Sequence, residues 1–369
     1  MPEPSERGDR GASAGGGGAA DADAGRIGVA GRLDALLPTA FALALALMVF
    51  ELLALFYDQE PAVVLHLLWM GTWGSGYGLG QVLFKATPLI LTGLAVALPF
   101  RGGLFNIGAE GQAVVGALAT GLLGAALPAD FPAIPAVSLC LVAGFGAGAL
   151  WGGFPGWLKA RFGAHEVITT IMFNFIAMGF ASWIVINGFL VPETLHTAPI
   201  VESARLSRLA DFIPAFKGAS VNTSLVLACV LVVAMHGLLT RTRFGFEIRA
   251  MGYALSAAEA GGVDVGRQRV LLMALAGGLA GLVGANAVLG HKYYYEDGFS
   301  GGVGFMGIAV ALLGRNHPGG VFLAALLFGT LSQGGLAINA TVPRDSMQIV
   351  QAVVILAVAA AVGSRRRPS

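Results

Sequence analysis

Three features of this sequence predict an all-α polytopic membrane protein with about ten transmembrane segments and an inverted internal repeat. These are a composition too apolar for a soluble domain, a series of span-length apolar runs, and basic residues gathered on alternate connections. Of the 369 residues, 56% are hydrophobic and only 12% charged, against about 25% charged in a soluble domain. The net charge of +1 gives no case for nucleic acid. Cys140 and Cys229 both fall inside apolar runs, where they read as packing residues without a disulfide or metal role.

Residues 1–32 alternate Gly, Ala, Ser, Asp and Arg without apolar periodicity and read as a disordered cytoplasmic tail. A transmembrane domain follows over 33–364, then a basic cytoplasmic tail at 365–369. A spanning helix needs about 20 apolar residues. The runs 35–57, 81–100, 104–126, 133–157, 166–190, 221–240, 269–290, 303–314, 319–339 and 347–363 supply the candidates. The eighth is too short to cross alone and is expected to be a half-helix or re-entrant element. Residues 61–79 are uncharged apart from His66, but their glycines argue against a stable helix, which places them on the outer face.

Charge placement sets the orientation. With the N-terminus inside and spans alternating, the inner side receives Arg7, Arg10, Arg26, Arg32, Arg101, Lys159, Arg161, Arg241, Arg243, Arg249, Arg267, Arg269, Arg315 and Arg365–Arg367. The outer side receives Lys85, Arg205, Arg208, Lys217, Lys292 and Arg344. This is the positive-inside bias, and it puts both termini in the cytoplasm.

Spans 2–5 and 7–10 form two groups that start on opposite sides of the membrane. Each group has a glycine-broken second member, Gly108–Gln112 in one and Gly301–Gly307 in the other. Paired interrupted segments in inverted halves point to a transport site near the midplane; close helix packing is the plainer explanation of the same glycines. The run Leu104–Gln112 also carries Asn106 and Glu110. A carboxylate at mid-membrane costs about 2.5–3.5 kcal/mol on insertion scales, and irregular backbone is tolerated there only in protein or beside a cavity. Either this is a broken helix beside a solute path, or Asn106 caps a helix with Glu110 in its first turn.

Residues 241–268 form the largest inner loop. Within it Ser256 and Glu259 have capping-box spacing, Ala257, Ala258 and Ala260 give a narrow face, and Gly261 or Gly262 ends the helix. Such a short, small-faced helix suits a groove on a partner protein.

Four segments carry a family resemblance: 103–112, His165–Ala177, the loop 242–267, and Ile308–Pro318. Together they resemble the permease subunit of an ATP-binding-cassette importer, in the branch serving branched-chain amino acids, simple sugars and nucleosides, and most closely its nucleoside-type members. His165 stands where most relatives have Asn. The resemblance covers roughly 35–363 and implies a type II importer fold. It implies that Ala257, Ala258, Glu259, Ala260, Gly261 and Gly262 dock into a separate ATPase subunit. It further implies a second permease chain, an extracytoplasmic binding protein, a bacterial inner-membrane location, and no cofactor on this chain, ATP residing on the partner.

Independently, no Gly-x-x-x-x-Gly-Lys-Ser/Thr occurs, so the chain has no phosphate-binding loop of its own. His165-Glu166 lacks the second histidine of a zinc protease, since residue 169 is Thr. An ion-coupled secondary transporter would need mid-membrane ionisable groups, and only Glu110 and Glu51 approach that. A nucleoside offers a flat base and a hydroxylated sugar, which call for aromatic faces, amides and carboxylates. Phe105, Asn106, Glu110, Gln112, Asn174, Trp183, Asn187 and Phe305 are the substrate-path candidates. A simple sugar or another small polar solute is the alternative cargo.

Overall fold

The computed structural model describes residues 44–45, 48–343 and 346–364. Both predicted tails, Arg344 and the start of the first predicted span lie outside the described residues. After a helical stretch at 48–56, the α-helices are α1 (Pro61–Gly71), α2 (Gly76–Arg101), α3 (Ala109–Ala126), α4 (Ala133–Phe162), α5 (Glu166–Ile184), α6 (Ser224–Arg241), α7 (Arg243–Tyr253), α8 (Leu255–Ala260), α9 (Val265–Gly281), α10 (Val303–Leu313), α11 (Pro318–Ala337) and α12 (Ser346–Ser364). Helices α5 and α9 run on into the π-helical turns Val185–Phe189 and Ala285–Lys292.

With those extensions, α2, α4, α5, α6, α9 and α11 are long and apolar enough to cross a membrane by length and composition. They correspond to six of the ten predicted runs. Helix α10 has 11 residues, about 16 Å at 1.5 Å per residue, and is the short element expected at the eighth. Three sequence expectations need correction. Residues 61–71 do form a helix, because Pro61 at its first position presets the backbone and the glycines begin only at its end. The second helix starts at Gly76 rather than 81, because the Ser75 hydroxyl accepts a bond from the Gly78 N–H at 3.0 Å. The third starts at Ala109, with residues 104–107 non-helical.

Helix α2 is central. Most of it is buried among α6, α9, α10 and α11. Beside it, α4 and α9 approach closely through glycines at four-residue spacing. A Cβ on Gly148 would lie 2.3 Å from the Gly277 carbonyl oxygen, and one on Gly281 would lie 2.2 Å from that of Gly144. Helix α3 joins the same contact, since a Cβ on Gly116 would lie 2.2 Å from the Gly281 Cα. Lipid supplies no hydrophobic drive between helices, so this small-residue packing is what holds them.

The two ends of the bundle differ. Arg101 reaches the Asn316 carbonyl at 2.9 Å, and a Cβ on Gly252 would lie 2.1 Å from the Arg101 carbonyl. Thus the end of α2, the loop after α10 and the α7–α8 segment gather at one end, called here the basic end. Residues 190–222 pack at the other, where Ile200 N–H donates to the Tyr293 carbonyl at 2.8 Å and Thr197 N–H to that of Tyr295 at 2.9 Å.

Replacing Gly148 with Val should force α4 and α9 apart. We expect a loss of about 1–3 kcal/mol, typical of overpacking, read as a lower melting temperature of the purified protein. Gly146→Ala, with nothing within 4 Å of its Cβ, should melt like the wild type; equal melting of both variants would remove this contact as a stability determinant.

Candidate functional site: a half-helix, its carboxylate and the cavity above it

Two prolines inside α2 shape the site. Proline has no N–H, so each leaves the carbonyl four residues earlier without a helical partner. Pro99 frees the Ala95 carbonyl, and the Asn106 amide donates to it at 3.3 Å. Pro88 frees the Phe84 carbonyl, and the Asn286 amide donates to it at 3.2 Å. Two buried asparagines thus repair the proline gaps. The Ala95 contact also shows that the chain after Arg101 turns back along α2 by six residues, about 9 Å.

Asn106 sits at the tip of that re-entrant turn. It exchanges two bonds with the Gln112 amide, at 2.9 and 3.0 Å, and its Oδ1 accepts from Gly108 N–H at 3.0 Å. Asn106 is therefore not the cap of α3, as its position in the sequence suggested. Gly108 occupies the cap position, without a side-chain cap bond, because the Asn106 side chain is committed to Ala95 and Gln112. Asn174 on α5 clamps the same turn, accepting from Gly111 N–H at 2.8 Å and donating to the Ile107 carbonyl at 2.9 Å.

Glu110 lies in the first turn of α3 and is 1% exposed. Its carboxylate accepts from Gly302 N–H at 3.0 Å and from Gly304 N–H at 2.6 Å. These are N-terminal amides of α10, so the negative group sits at the positive end of that helix dipole. The two glycine-broken segments singled out in the sequence therefore meet through this one side chain. Their glycines differ in purpose. Gly301 and Gly302 adopt φ of +52° and +85°, a region open chiefly to glycine. Gly304 gives close approach, since a Cβ there would lie 2.2 Å from the Glu110 nitrogen.

The Thr92 hydroxyl donates to the Val303 carbonyl at 3.1 Å, which fixes the start of α10 near the middle of α2. Helix α10 is thus a half-helix running from mid-depth to the basic end. Above its N-terminus, toward the opposite end, opens a cavity of about 670 Å³. Its walls include Phe84, Lys85, Asn286, His291, Asp297, Ser300, Met306 and Gln351, and Gly301–Val303 at the start of α10 also line it. The Phe84 and His291 rings are 4.7 Å apart. The His291 Nδ1 has no hydrogen-bond partner among the described residues.

None of the eight predicted path residues is among those lining this cavity. Asn106, Glu110, Gln112 and Asn174 are buried with protein partners beneath and beside it. Phe105 is half-buried against Phe100. Trp183 and Asn187 lie exposed on the α5 surface, where Asn187 donates to the Trp183 carbonyl at 2.9 Å, and Phe305 is also exposed. Sequence reasoning missed Phe84, Asn286 and His291. Pro88 was the available signal, because the carbonyl it frees requires a donor from elsewhere.

At the basic end, Ala257, Glu259, Ala260, Gly261 and Gly262 are exposed, and Ala258 is buried against Met251 and Val265. The expected capping box does not form. Helix α8 begins at Leu255, so Ser256 is already inside it and its N-cap, Ala254, has no side-chain bond to give. The glycine stop holds, with Gly261 at the C-cap and Gly262 at φ +84°. No group of three or more His, Cys, Asp or Glu residues able to hold a metal occurs among the described residues.

A multi-helix membrane fold with a half-helix ending at a mid-depth cavity defines the class of polytopic membrane transport proteins. Residues 78–359 match the family described as branched-chain amino acid transport system / permease component, and the chain belongs to it. It is 40% identical over 342 residues to the guanosine ABC transporter permease protein NupP of Bacillus subtilis, covering 90% of this chain and 96% of that one. It is 36% identical to a glucose ABC transporter permease protein of Haloferax volcanii, over 81% of this chain and 80% of the relative. Identity to the nucleoside ABC transporter permease protein NupB of Lactococcus lactis is 34%, over 79% and 82%. No solved structure matches. The chain is thus a non-enzymatic permease subunit of an ABC importer.

Asn106→Ala should destabilise the protein by about 1–3 kcal/mol for each buried partner left unsatisfied. Pro99→Ala restores an N–H for the Ala95 carbonyl, so adding it should recover part of that loss. Thermal melting of the two single variants and the double variant measures the coupling; strictly additive effects would contradict the assigned pairing.

Proposed function

We propose that the chain imports nucleosides through the cavity above α10, as one of two permease subunits in an inner-membrane ABC importer. The observation that carries this reading is the cavity itself: it reaches mid-depth, pairs the rings of Phe84 and His291, and sets them beside amide, hydroxyl and carboxylate groups. A base can lie against the aromatic pair. Sugar hydroxyls can bond Asp297, Ser300 or Gln351. The guanosine and nucleoside permeases among the relatives favour this cargo, and the Haloferax glucose permease keeps a simple sugar as the second reading.

In this reading Glu110, Asn106, Gln112 and Asn174 are positioning residues. They hold the half-helix whose start lines the cavity. Phe105, Trp183, Asn187 and Phe305 lie outside the cavity and are available for contact with the second permease chain, across which the path would be completed. The basic end faces the cytoplasm, as do both termini, and an extracytoplasmic binding protein delivers solute at the other end. Ala257–Gly262 seat in the ATPase subunit. ATP-driven closure of the ATPase pair then moves α8 and with it α7, which packs on the end of α2, and shifts the permease between outward- and inward-open states.

Base stacking is worth about 1–3 kcal/mol in single-strand binders. On that scale Phe84→Ala should cut uptake of radiolabelled guanosine by roughly ten-fold in cells carrying the assembled transporter. Glucose uptake should be absent in wild type and variant alike. Uptake of glucose but not guanosine would overturn the nucleoside reading in favour of the sugar.

Gly261→Arg places a long charged side chain on the exposed tip of the α8 turn. Copurification of the ATPase subunit should weaken and transport should fall, with the amount of permease in the membrane unchanged. Full copurification and full uptake would falsify docking at this loop.

A further inference from the structure

A second pocket, of about 200 Å³, lies at the basic end. Its lining includes Arg101, His236, Thr240, Arg249 and His317 and contains no carboxylate. These groups arrive from separate elements: the end of α2, two successive turns of α6, helix α7, and the residue before α11. Arg101 is fixed at the wall by its bond to the Asn316 carbonyl. Among the described residues, Arg249 has neither a carboxylate nor a carbonyl partner. By contrast, Arg243 on the same helix is paired with Glu247 at 2.8 Å. Two arginines thus converge without a counter-charge, beside two imidazoles able to hydrogen-bond an anion. Partial burial first, and then His236 and Arg101, hold the His317 imidazole below its ordinary value.

The surroundings of the pocket say what kind of anion would reach it. Val226, Val230, Val233, His236 and Thr240 follow one another at spacings of three and four along α6, so they share one stripe. The three valines are 57%, 57% and 72% exposed, and α6 is apolar and long enough to cross a membrane. The cationic pocket therefore stands at the end of an apolar strip with the polarity order of a phospholipid, headgroup at the basic end and acyl chains along the valines. Basic pockets between membrane helices are a known setting for anionic headgroups.

We propose that this pocket seats the phosphate of an anionic phospholipid, whose acyl chains lie along the Val226–Val233 face of α6. Arg249 and His236 supply the contacts not already committed to the protein. The lipid would bridge α6, α7 and the start of α11, next to the helix that leads into α8.

The test uses the full-length chain within its purified transporter complex, offered equal amounts of phosphatidylglycerol and phosphatidylcholine in detergent, with retained lipid counted by mass spectrometry. Wild-type complex should retain phosphatidylglycerol in preference to phosphatidylcholine. Arg249→Gln should lower phosphatidylglycerol retention by about five-fold, the factor expected per basic residue at an anionic surface, and His236→Gln should lower it further. Arg243→Gln, which removes an equal charge outside the pocket, should leave retention at the wild-type level. Absence of headgroup preference in wild type overturns the proposal without recourse to any variant. So does equal loss in Arg243→Gln, which would make the effect one of diffuse charge. Binding of inorganic phosphate at the pocket without preferential retention of phosphatidylglycerol would assign the site to a free anion and overturn the lipid.

Discussion

The contact between the Glu110 carboxylate and the amides of Gly302 and Gly304 is the constraint on which the site depends. A half-helix that starts in mid-membrane has N–H groups with no helical partner, and lipid offers none. A carboxylate that is 1% exposed at the same depth is shielded from bulk solvent. Each is costly alone, and together they satisfy each other. The bonds also join residues 192 and 194 positions apart, tying the first half of the chain to the second beside the cavity.

The same logic recurs at the two prolines of α2. Each removes a helical bond from the most buried helix, and in each case an asparagine from another segment supplies the missing donor. Asn106 does this for Ala95 and thereby pins the re-entrant turn that carries Glu110. Asn286 does it for Phe84, whose side chain lines the cavity. The prolines thus create docking points on α2 for the irregular segments that build the site. Buried polar groups here specify register, because a slip by one residue would leave both carbonyls unpaired.

Much of the fold was legible in the chain. Span-length runs at 133–157, 166–190, 221–240, 269–290 and 319–339 appear as helices near the predicted bounds, since burial in lipid demands length and apolarity and both are local properties. The short eighth run was legible for the same reason. A short helix ended by glycine was expected within 241–268 and α8 lies there, but the expected capping box does not form: Ser256 lies one residue inside α8, and helix boundaries depend on neighbouring turns that a spacing rule does not see. Residues 61–71 are helical against expectation, because Pro61 presets the helix start and the glycines come only from Gly71 onward.

By itself the sequence determined that this is a helical membrane protein with basic and non-basic ends, a glycine-broken pair of segments, and a buried carboxylate that needed a partner. These follow from hydration energies of individual residue types and from their spacing along one chain. Only the tertiary structure decided that the partner of Glu110 is the start of α10, that Asn106 serves Ala95 rather than its own helix, and that Phe84 and His291 face one cavity while Trp183 and Asn187 lie on the surface. Such pairings join residues far apart in the chain. A buried polar group states that it must be satisfied, but which of several distant donors satisfies it is fixed by how the helices pack.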